Sequence, residues 1–396
     1  MPAFTRAPDP VVVLAAGVVT PIGTDLDTFW SALLDGRDGV SPIERFRVDD
    51  LRVGRGGEIK RVPVGAHGAG RIECRASQLL LAAAEDLLRR RSLDAAPARI
   101  GVVVGTALGG AEELERALDK DGRPRRAGAA LYDSPGRVLA HRLGARGPLL
   151  TLSTACASGA TALGVGADLL RADRADVVVA GGFDILCRFV MRGFDVLRSL
   201  TRERVRPFDR RRSGLLLGES AALVLMAREG DARGARLGRL LGHASTSDGA
   251  HIAAPHPEGR GLLAAVHGAL AQAGLDPRDV DFVSAHGTGT PLNDRIETAV
   301  LKAALGARAG AIPVNSIKAG LGHTMGAAAT LEAIMCLLAS RDGIVPPTLG
   351  YEEADPECDL DYVPLRARTV RPRVSLSTSL GFGGCNAALV LDGGPA

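Results

Sequence analysis

Short apolar runs of strand length alternate along this chain with longer segments of helical periodicity, and the alternation restricts the possible folds strongly. Several runs are apolar almost throughout, which is typical of strands covered on both faces. The order predicts an α/β protein with mostly parallel sheets. The predicted strands are 11–14, 100–104, 149–152, 177–179, 222–225, 282–284, 374–376 and 388–391, and the predicted helices are 78–91, 110–118, 159–171, 261–273, 294–305 and 326–340.

A loop-rich stretch divides the chain near residue 245. Residues 242–259 contain Ser, Asp, Pro and three histidines, His243, His251 and His256, and they predict a loop. We therefore expect an N-terminal half at residues 1–245 and a C-terminal half at residues 246–396. Each half contains strand–helix units, although no sequence repeat relates the two.

Composition excludes several classes of protein. The 396 residues are 46% hydrophobic and 23% charged, which is ordinary for a globular chain. A net charge of +3 is too small to attract nucleic acid over the whole molecule. No apolar run reaches the roughly 18 residues of a membrane span, and the N-terminus lacks the apolar segment of a secretory signal. The six cysteines show no CxxC spacing, so we expect free thiols in a cytoplasmic protein.

The segment 149–163 runs from an apolar strand directly into Cys156, and a helix of small residues begins just after it. A cysteine at a helix N-terminus lies at the positive end of the helix dipole and near free backbone N–H groups, and both favour the thiolate. Cys156 is therefore a candidate nucleophile. The alternative is a buried, inert cysteine, which is the commoner fate of a free thiol.

A second candidate segment, 281–294, places His286 at the end of a predicted strand, before a glycine–threonine turn that leads into a helix. Ligands bind at strand ends in α/β sheets. Thr288 and Thr290 supply uncharged hydroxyls in the same turn. The alternative is a structural histidine that satisfies a carbonyl of the turn.

The segment 314–332 contains Lys318, His323 and Glu332. His323 lies at the start of a helix of small residues, where the dipole disfavours the imidazolium, so we expect a neutral ring that donates a hydrogen bond. Glu332 follows about two and a half turns later, in an apolar sequence where a carboxylate needs a partner. The alternative is a glycine-rich packing loop with a surface lysine.

In the segment 377–386 a predicted strand ends in a glycine-rich loop around Phe382. Such a loop can direct a backbone N–H at an oxyanion, and the alternative is a simple tight turn. The dinucleotide fingerprint, the P-loop and the spacings of zinc ligands are absent from the sequence. We therefore expect no bound metal, and we assign His243, His251 and His256 to the surface or to loops.

One cysteine, two histidines and a Gly-Phe-Gly-Gly loop, in this order, resemble the elongating β-ketoacyl-[acyl-carrier-protein] synthases of the thiolase superfamily, above all synthase II and its polyketide relatives. The resemblance covers residues 10–392 and includes the segments 13–23, 105–110, 181–182, 206–209, 345–348 and 359–364. It implies a thiolase-like, five-layered αβαβα fold built from two similar halves.

The resemblance also implies a role for each catalytic candidate. Cys156 would take the acyl chain from a carrier-protein thioester. His286 and His323 would bind the thioester carbonyl of the extender unit, and Lys318 and Glu332 would support the second histidine. The implied reaction is a decarboxylative Claisen condensation with malonyl-acyl carrier protein that gives 3-oxoacyl-acyl carrier protein.

Substrate contacts follow from the same resemblance. No cofactor is bound in the implied reaction, because phosphopantetheine arrives on the acyl carrier protein. The implied contacts are the backbone N–H groups of Cys156 and Phe382 in the oxyanion hole, Thr288 and Thr290 at the phosphopantetheine arm, Leu108, Phe194 and Phe382 at the acyl pocket, and Asn386 beside the gating loop.

Two kinds of partner are implied as well. We expect a homodimer whose strands pair near residues 149–155, and a heterodimer with a related ketosynthase-like subunit stays open. Because a carrier protein is acidic, surface arginines should receive it. The candidates are Arg71, Arg75, Arg125, Arg126, Arg204 and Arg206.

The sequence departs from the family pattern near the implied pocket. Ser213, Leu215 and Ser220 stand where the family has Asp, Phe and Gly, and the segment 201–207 is shorter than usual. These changes leave the chain length open, and they favour type II polyketide over fatty-acid biosynthesis only modestly. Two other functions remain, a non-catalytic chain-length-factor-like partner and a non-decarboxylating thiolase-like acyltransferase. The latter would need a second reactive cysteine, and Cys385 is interpreted instead as a substitution for Thr.

Overall fold

The computed structural model describes residues 9–63, 74–118 and 128–393, without the side chains of residues 117 and 118. Its strands are β1 (Val11–Val19), β2 (Ser41–Pro42), β3 (Arg55–Gly56), β4 (Ile100–Gly105), β5 (Leu149–Leu152), β6 (Val177–Asp184), β7 (Ser220–Arg228), β8 (Gly238–Ser247), β9 (Phe282–Ser284), β10 (Val314–Asn315), β11 (Ile344–Val345), β12 (Arg368–Thr369), β13 (Val374–Gly381) and β14 (Cys385–Asp392).

Six helices of the described residues match the predicted ones, with ends that differ by a few residues. Four others were not predicted, at Leu26–Leu34, Ser134–Leu143, Arg188–Val196 and Lys318–Leu321. The helices are α1 (Leu26–Leu34), α2 (Arg75–Arg90), α3 (Ala111–Leu118), α4 (Ser134–Leu143), α5 (Ser158–Arg171), α6 (Arg188–Val196), α7 (Arg260–Ala273), α8 (Pro291–Leu305), α9 (Lys318–Leu321) and α10 (Ala328–Asp342). Within the described part of the chain, no helix is long and apolar enough to cross a membrane.

Ten strands of the described residues form one mixed sheet in the order β10-β9-β13-β14-β8-β1-β7-β6-β4-β5. The prediction of mostly parallel sheets is wrong, because five neighbouring pairs are antiparallel and four are parallel. An apolar run shows that both faces of a strand are buried, but it carries no information about the direction of the neighbouring strand.

The two halves of the sheet have the same topology. The N-terminal strands lie in the order β5-β4-β6-β7-β1 and the C-terminal strands in the order β10-β9-β13-β14-β8. When the five strands of each half are numbered by their order along the chain, both halves have the same spatial order, which is third, second, fourth, fifth and first. The halves meet where β1 pairs with β8 through the partners Val11–Leu240, Val12–Arg239 and Val13–Gly238. Residue 245, the division expected from the sequence, therefore lies inside β8, the first strand of the second half.

Helices complete a five-layered αβαβα arrangement. Helices α5 and α10 pack on each other and on strands of both half-sheets, so they form the central layer. Helices α2 and α4 cover the outer face of the first half-sheet, and α7, with α8 packed on it, covers the second. Fully buried side chains such as Leu331 and Ile334 fill the central layer. This arrangement confirms the fold that the resemblance implied.

The predicted loop at 242–259 is wrong over its first six residues. These residues belong to β8, which pairs with β14 from Cys385–Ser247 to Asp392–Arg239. The burial of β8 alternates between buried and half-buried residues along most of its length. A half-exposed strand that contains Gly, His, Ser and Thr resembles a loop in composition, and composition misled the prediction.

Candidate active site

Cys156 lies in the connection between β5 and α5, two residues before the first residue of the helix. Ala155 has a φ of 51°, so the backbone turns sharply just before the cysteine. The Ser158 hydroxyl donates to the Ala155 carbonyl at 2.5 Å and accepts from the Thr154 N–H at 2.9 Å. The turn is thereby held in the left-handed region that a non-glycine residue rarely adopts.

The loop between β13 and β14 contacts the Cys156 turn directly. A Cβ on Gly381 would lie 3.0 Å from the backbone nitrogen of Cys156 and 2.8 Å from the Thr154 carbonyl oxygen, so glycine permits this approach. The backbone N–H groups of Phe382 and of Cys156 itself both interact with the Cys156 sulfur and lower its pKa. The structure thus brings together the two donors implied for the oxyanion hole.

The Cys156 thiol is strongly protonated in the free protein. Burial raises its pKa to about 12, the negative charge of Asp184 adds to the increase, and Lys318 opposes it. The nearby N–H groups favour the thiolate, as the sequence predicts, but the loss of water around the sulfur outweighs them.

His286 and His323 face each other beside the cysteine. Their ring centroids lie 5.2 Å apart and the rings are nearly perpendicular, at 84°. Burial lowers the pKa of both imidazoles well below 6.5, and the charge of Lys318 lowers both further. The two rings are therefore neutral at physiological pH. This agrees with the neutral His323 expected from the sequence, although burial rather than the helix dipole is the main cause.

Glu297 of α8 fixes the turn that carries His286. Its carboxylate accepts the N–H groups of His286 at 2.7 Å and Gly287 at 2.8 Å, and the Thr378 hydroxyl of β13 at 2.7 Å. Glu297 is fully buried. His323 is fixed differently, because its N–H donates to the Leu216 carbonyl at 2.6 Å. Backbone contacts therefore set the position of both rings.

Lys318 and Glu332 form a buried ion pair beneath the histidines. Both side chains are almost fully buried, and only 3% of Lys318 and 1% of Glu332 is exposed. Burial raises the pKa of Glu332 to about 7, and Lys318 opposes the shift. The partner that the sequence required for Glu332 is therefore Lys318, which also places a positive charge near both imidazoles.

A cavity of about 350 Å³ connects these groups to solvent. Its lining includes Cys156 and both histidines, and it includes the implied substrate contacts Thr288, Thr290, Phe194, Phe382 and Asn386. The Phe194 and Phe382 rings stack at 5.3 Å between centroids, and the Thr288 and Thr290 hydroxyls are 2.9 Å apart. Leu108 does not line this cavity. It packs instead in the hydrophobic cluster that contains Phe194 and that Phe382 adjoins.

Several residues of the site were not identified from the sequence. His251, which the sequence assigned to the surface or to a loop, is exposed in a loop as expected, but it also lines the cavity together with Asp248. Asp248 accepts from the Asn386 side chain at 2.9 Å and donates its N–H to the Gly384 carbonyl at 2.8 Å, so this loop holds the Phe382 loop. The local sequence could not predict this contact, because Asp248 and Asn386 are 138 positions apart in the chain.

The docking arginines have different environments. The prediction that Arg75 is a surface residue that docks the carrier protein is wrong, because its side chain is only 11% exposed and pairs with the fully buried Glu219. Arg204 and Arg206 both pair with Glu352, at 3.0 and 2.7 Å. Arg71, Arg125 and Arg126 lie outside the described residues.

A second, larger cavity of about 680 Å³ has walls of a different kind. Arg188 pairs with Asp50 at 2.6 Å on its wall, and Arg45 pairs with Glu112. Because the wall of this second cavity consists mainly of Arg, Asp and Glu side chains, it offers little apolar surface to an acyl chain. Among the described residues, no group of His, Cys, Asp and Glu side chains has the arrangement of a metal site.

The strand order and the position of the reactive groups define a protein with the thiolase fold. Comparison with known families gives two matches, to the N-terminal domain of β-ketoacyl synthase over residues 8–232 and to its C-terminal domain over residues 237–352. The chain belongs to the β-ketoacyl synthase family.

Named relatives agree with this assignment. The chain is 39% identical to the tetracenomycin polyketide synthase ketoacyl synthase alpha subunit of Streptomyces glaucescens, covering 96% of both chains. It is 36% identical to 3-oxoacyl-[acyl-carrier-protein] synthase 2 of a Synechocystis strain, covering 96% of this chain and 97% of the relative. The solved structure of the ishigamide ketosynthase/chain length factor is 32% identical, with a TM-score of 0.91 and coverage of 98% of this chain and 99% of that chain.

Proposed function

We propose that this protein catalyses the decarboxylative condensation of an acyl group on Cys156 with malonyl-acyl carrier protein. The observation that carries the proposal is the shared cavity of one thiol and two neutral imidazoles. Acyl transfer requires a nucleophile and donors for an oxyanion, and decarboxylation requires donors for an enolate. All these groups lie at the same cavity of about 350 Å³.

In the first step the Cys156 sulfur attacks the carbonyl carbon of an acyl thioester. The new C–S bond forms as the bond to the pantetheine sulfur breaks, and the thiol proton leaves with that sulfur. The N–H groups of Cys156 and Phe382 stabilise the negative oxygen of the intermediate.

In the second step malonyl thioester loses CO₂ and its electron pair remains as an enolate. Two neutral imidazoles donate hydrogen bonds to the enolate oxygen and hold no charge that would protonate its carbon. The carbon then attacks the Cys156 thioester, a C–C bond forms, and the sulfur leaves and regains a proton. The product is a 3-oxoacyl thioester with two more carbons.

The test is mass spectrometry of the protein and the carrier after incubation with a panel of acyl carrier proteins, followed by malonyl carrier protein. We expect an acyl adduct on Cys156, release of CO₂ and a 3-oxoacyl carrier. A Cys156 that alkylates readily but yields no 3-oxoacyl product with any carrier contradicts the proposal. Acyl transfer without CO₂ release would instead identify a thiolase-like acyltransferase.

We propose further that the protein forms a homodimer through β5. This strand is the edge of the ten-stranded sheet, and Leu149 and Leu150 are each 41% exposed on it. An apolar edge strand is a template for pairing with another chain. The alternative outcome is a heterodimer with a similar subunit, because the ishigamide structure is named as a ketosynthase together with a chain length factor.

The variant Leu150→Lys should therefore convert a dimer into a monomer and reduce condensation, since Cys156 follows β5 directly. Size-exclusion chromatography with light scattering measures the change. Leu365→Lys is the matched control, because Leu365 is similarly exposed, at 47%, and lies outside β5. An unchanged dimer in the Leu150 variant removes β5 from the interface.

The acidic carrier protein is proposed to dock at the guanidinium group of Arg204, which is 43% exposed, whereas Arg206 is only 14% exposed and supports the same site from below the surface. They share one carboxylate, Glu352, which an acidic helix of the carrier can replace. Arg204→Glu should raise KM for the carrier severalfold and leave the rate of Cys156 alkylation unchanged. A carrier KM equal to that of the wild type removes Arg204 from the docking surface.

A further inference from the structure

Asp184, the last residue of β6, is a buried carboxylate with four donors. Its Oδ1 accepts the Thr106 hydroxyl at 2.7 Å and the Leu108 N–H at 3.0 Å. Its Oδ2 accepts the N–H groups of Ala107 at 2.8 Å and Gly326 at 2.6 Å. The residue is 1% exposed. Three donors come from the N-terminal half and one from the C-terminal half, so this single carboxylate joins the two halves.

The backbones around Asp184 touch without intervening side chains. A Cβ on Gly182 would lie 2.0 Å from the Gly326 carbonyl oxygen, and one on Gly159 would lie 2.7 Å from the same atom. A Cβ on Gly326 would lie 2.7 Å from Asp184 Oδ2. Because no flexible side chain separates these backbones, a shift of one is transmitted to the others.

Hydrogen bonds connect this junction to the nucleophile. Thr106, which donates to Asp184, accepts through its carbonyl from the Ser158 hydroxyl at 3.3 Å. This hydroxyl has one proton and donates it mainly to the Ala155 carbonyl at 2.5 Å, in the left-handed turn just before Cys156, so its contact with Thr106 is the weaker branch of a shared hydrogen bond. On the other side, Gly326 lies three residues after His323. Asp184 is therefore linked to the turn of the nucleophile and to the loop of one imidazole.

We propose that Asp184 is a positioning residue that fixes the Cys156 turn and the His323 loop relative to each other, through Thr106 and Gly326. This inference rests on the proposed function for its kinetic consequence. The Asp184 charge also adds to the effect of burial, which is the main cause of the raised pKa of the Cys156 thiol. Asp184 touches neither substrate nor the reacting atoms in this role.

Asp184→Asn tests the inference. An amide supplies only one oxygen for four donors, so two donors face an NH₂ group, and either the Gly326 contact or the Thr106–Leu108 contacts are lost. Misplacement of reacting groups by about 1 Å costs about 10²-fold. We expect kcat for condensation to fall about 10²-fold, with little change in KM for the carrier. The pH midpoint of Cys156 alkylation by iodoacetamide should move to lower pH, because a negative charge is gone.

Two further variants separate position from charge. Thr106→Val removes one donor and keeps the Asp184 charge, so kcat should fall while the alkylation midpoint stays near that of the wild type. Thr106→Ser keeps the hydroxyl and should restore kcat. Asp86→Asn is the matched control, since Asp86 is also buried and accepts the N–H groups of Val18 and Leu26 far from the cavity. It should change neither quantity.

Alkylation needs no substrate, so it tests this inference even if the proposed reaction is wrong. A folded Asp184→Asn variant with the wild-type alkylation midpoint overturns the contribution of the Asp184 charge. If Thr106→Val keeps wild-type kcat, or if Asp86→Asn lowers kcat as much as Asp184→Asn does, the positioning role is overturned. Should Asp184→Asn fail to fold, the Thr106 pair still decides the positioning role.

Discussion

The variant Cys156→Ala is expected to lose condensation by at least about 10⁴-fold, because the acyl group then has no sulfur to which it can bind. The fold should be intact, since alanine is smaller than cysteine and residues 155–160 are otherwise small. Both imidazoles remain in the cavity. Slow CO₂ release from malonyl carrier protein should therefore persist without any 3-oxoacyl product.

Intact-protein mass spectrometry and a CO₂ assay measure the two outcomes. Cys358→Ala is the matched control, because Cys358 is also a buried free thiol but does not line the cavity. It should form the acyl adduct at the wild-type rate. A Cys156→Ala variant that still forms the adduct would assign the nucleophile to another residue, and Cys385 would be examined first.

Lys318→Met should destabilise the protein by about 3–5 kcal/mol, because it leaves the Glu332 carboxylate buried without its partner. The raised pKa of Glu332, about 7, means that this residue will take up a proton in the variant near neutral pH. Because Lys318 lowers the pKa of Glu332, its removal raises that pKa above 7, so the unfolding free energy of the variant should be lowest at alkaline pH and should recover as the pH falls to neutrality. Urea denaturation at several pH values measures this.

The double variant Lys318→Met/Glu332→Leu separates stability from activity. Replacing both members of a buried pair with apolar side chains is often neutral or stabilising, so we expect most of the lost stability to return. Condensation should stay low, because the positive charge beside His286 and His323 is absent. If the double variant were as unstable as Lys318→Met, or as active as the wild type, the pair would have a different role.

Much of the fold could be predicted from the sequence because each central element is bounded by clear signals. The strands 149–152 and 282–284 were predicted to the residue. The direction of neighbouring strands could not be predicted, since β7 and β14 are as apolar as the parallel strands beside them. Strand β8 was missed in part because its half-exposed face contains the residues of a loop.

One cysteine and two histidines that line the candidate site could be located from the sequence, and several residues that support them could not. Cys156, His286 and His323 each stand in a distinctive local segment, at the junction of a strand with a glycine-rich or small-residue turn. Asp184 ends an ordinary apolar strand, and its partner Gly326 lies 142 residues away. A carboxylate that acts through backbone groups leaves no local motif, so such residues become visible only in three dimensions.

The matching topology of the two halves has a consequence for how this molecule can diversify. The connection from β5 to α5 carries Cys156, and the corresponding connection from β10 to α10 carries His323. Mutations in α2 or α7 are separated from both connections by an entire sheet. Changes on the exposed faces of these outer helices therefore leave both connections in place, whereas one added methyl group between α5 and α10, as at Gly159, would displace the Cys156 and His323 segments together.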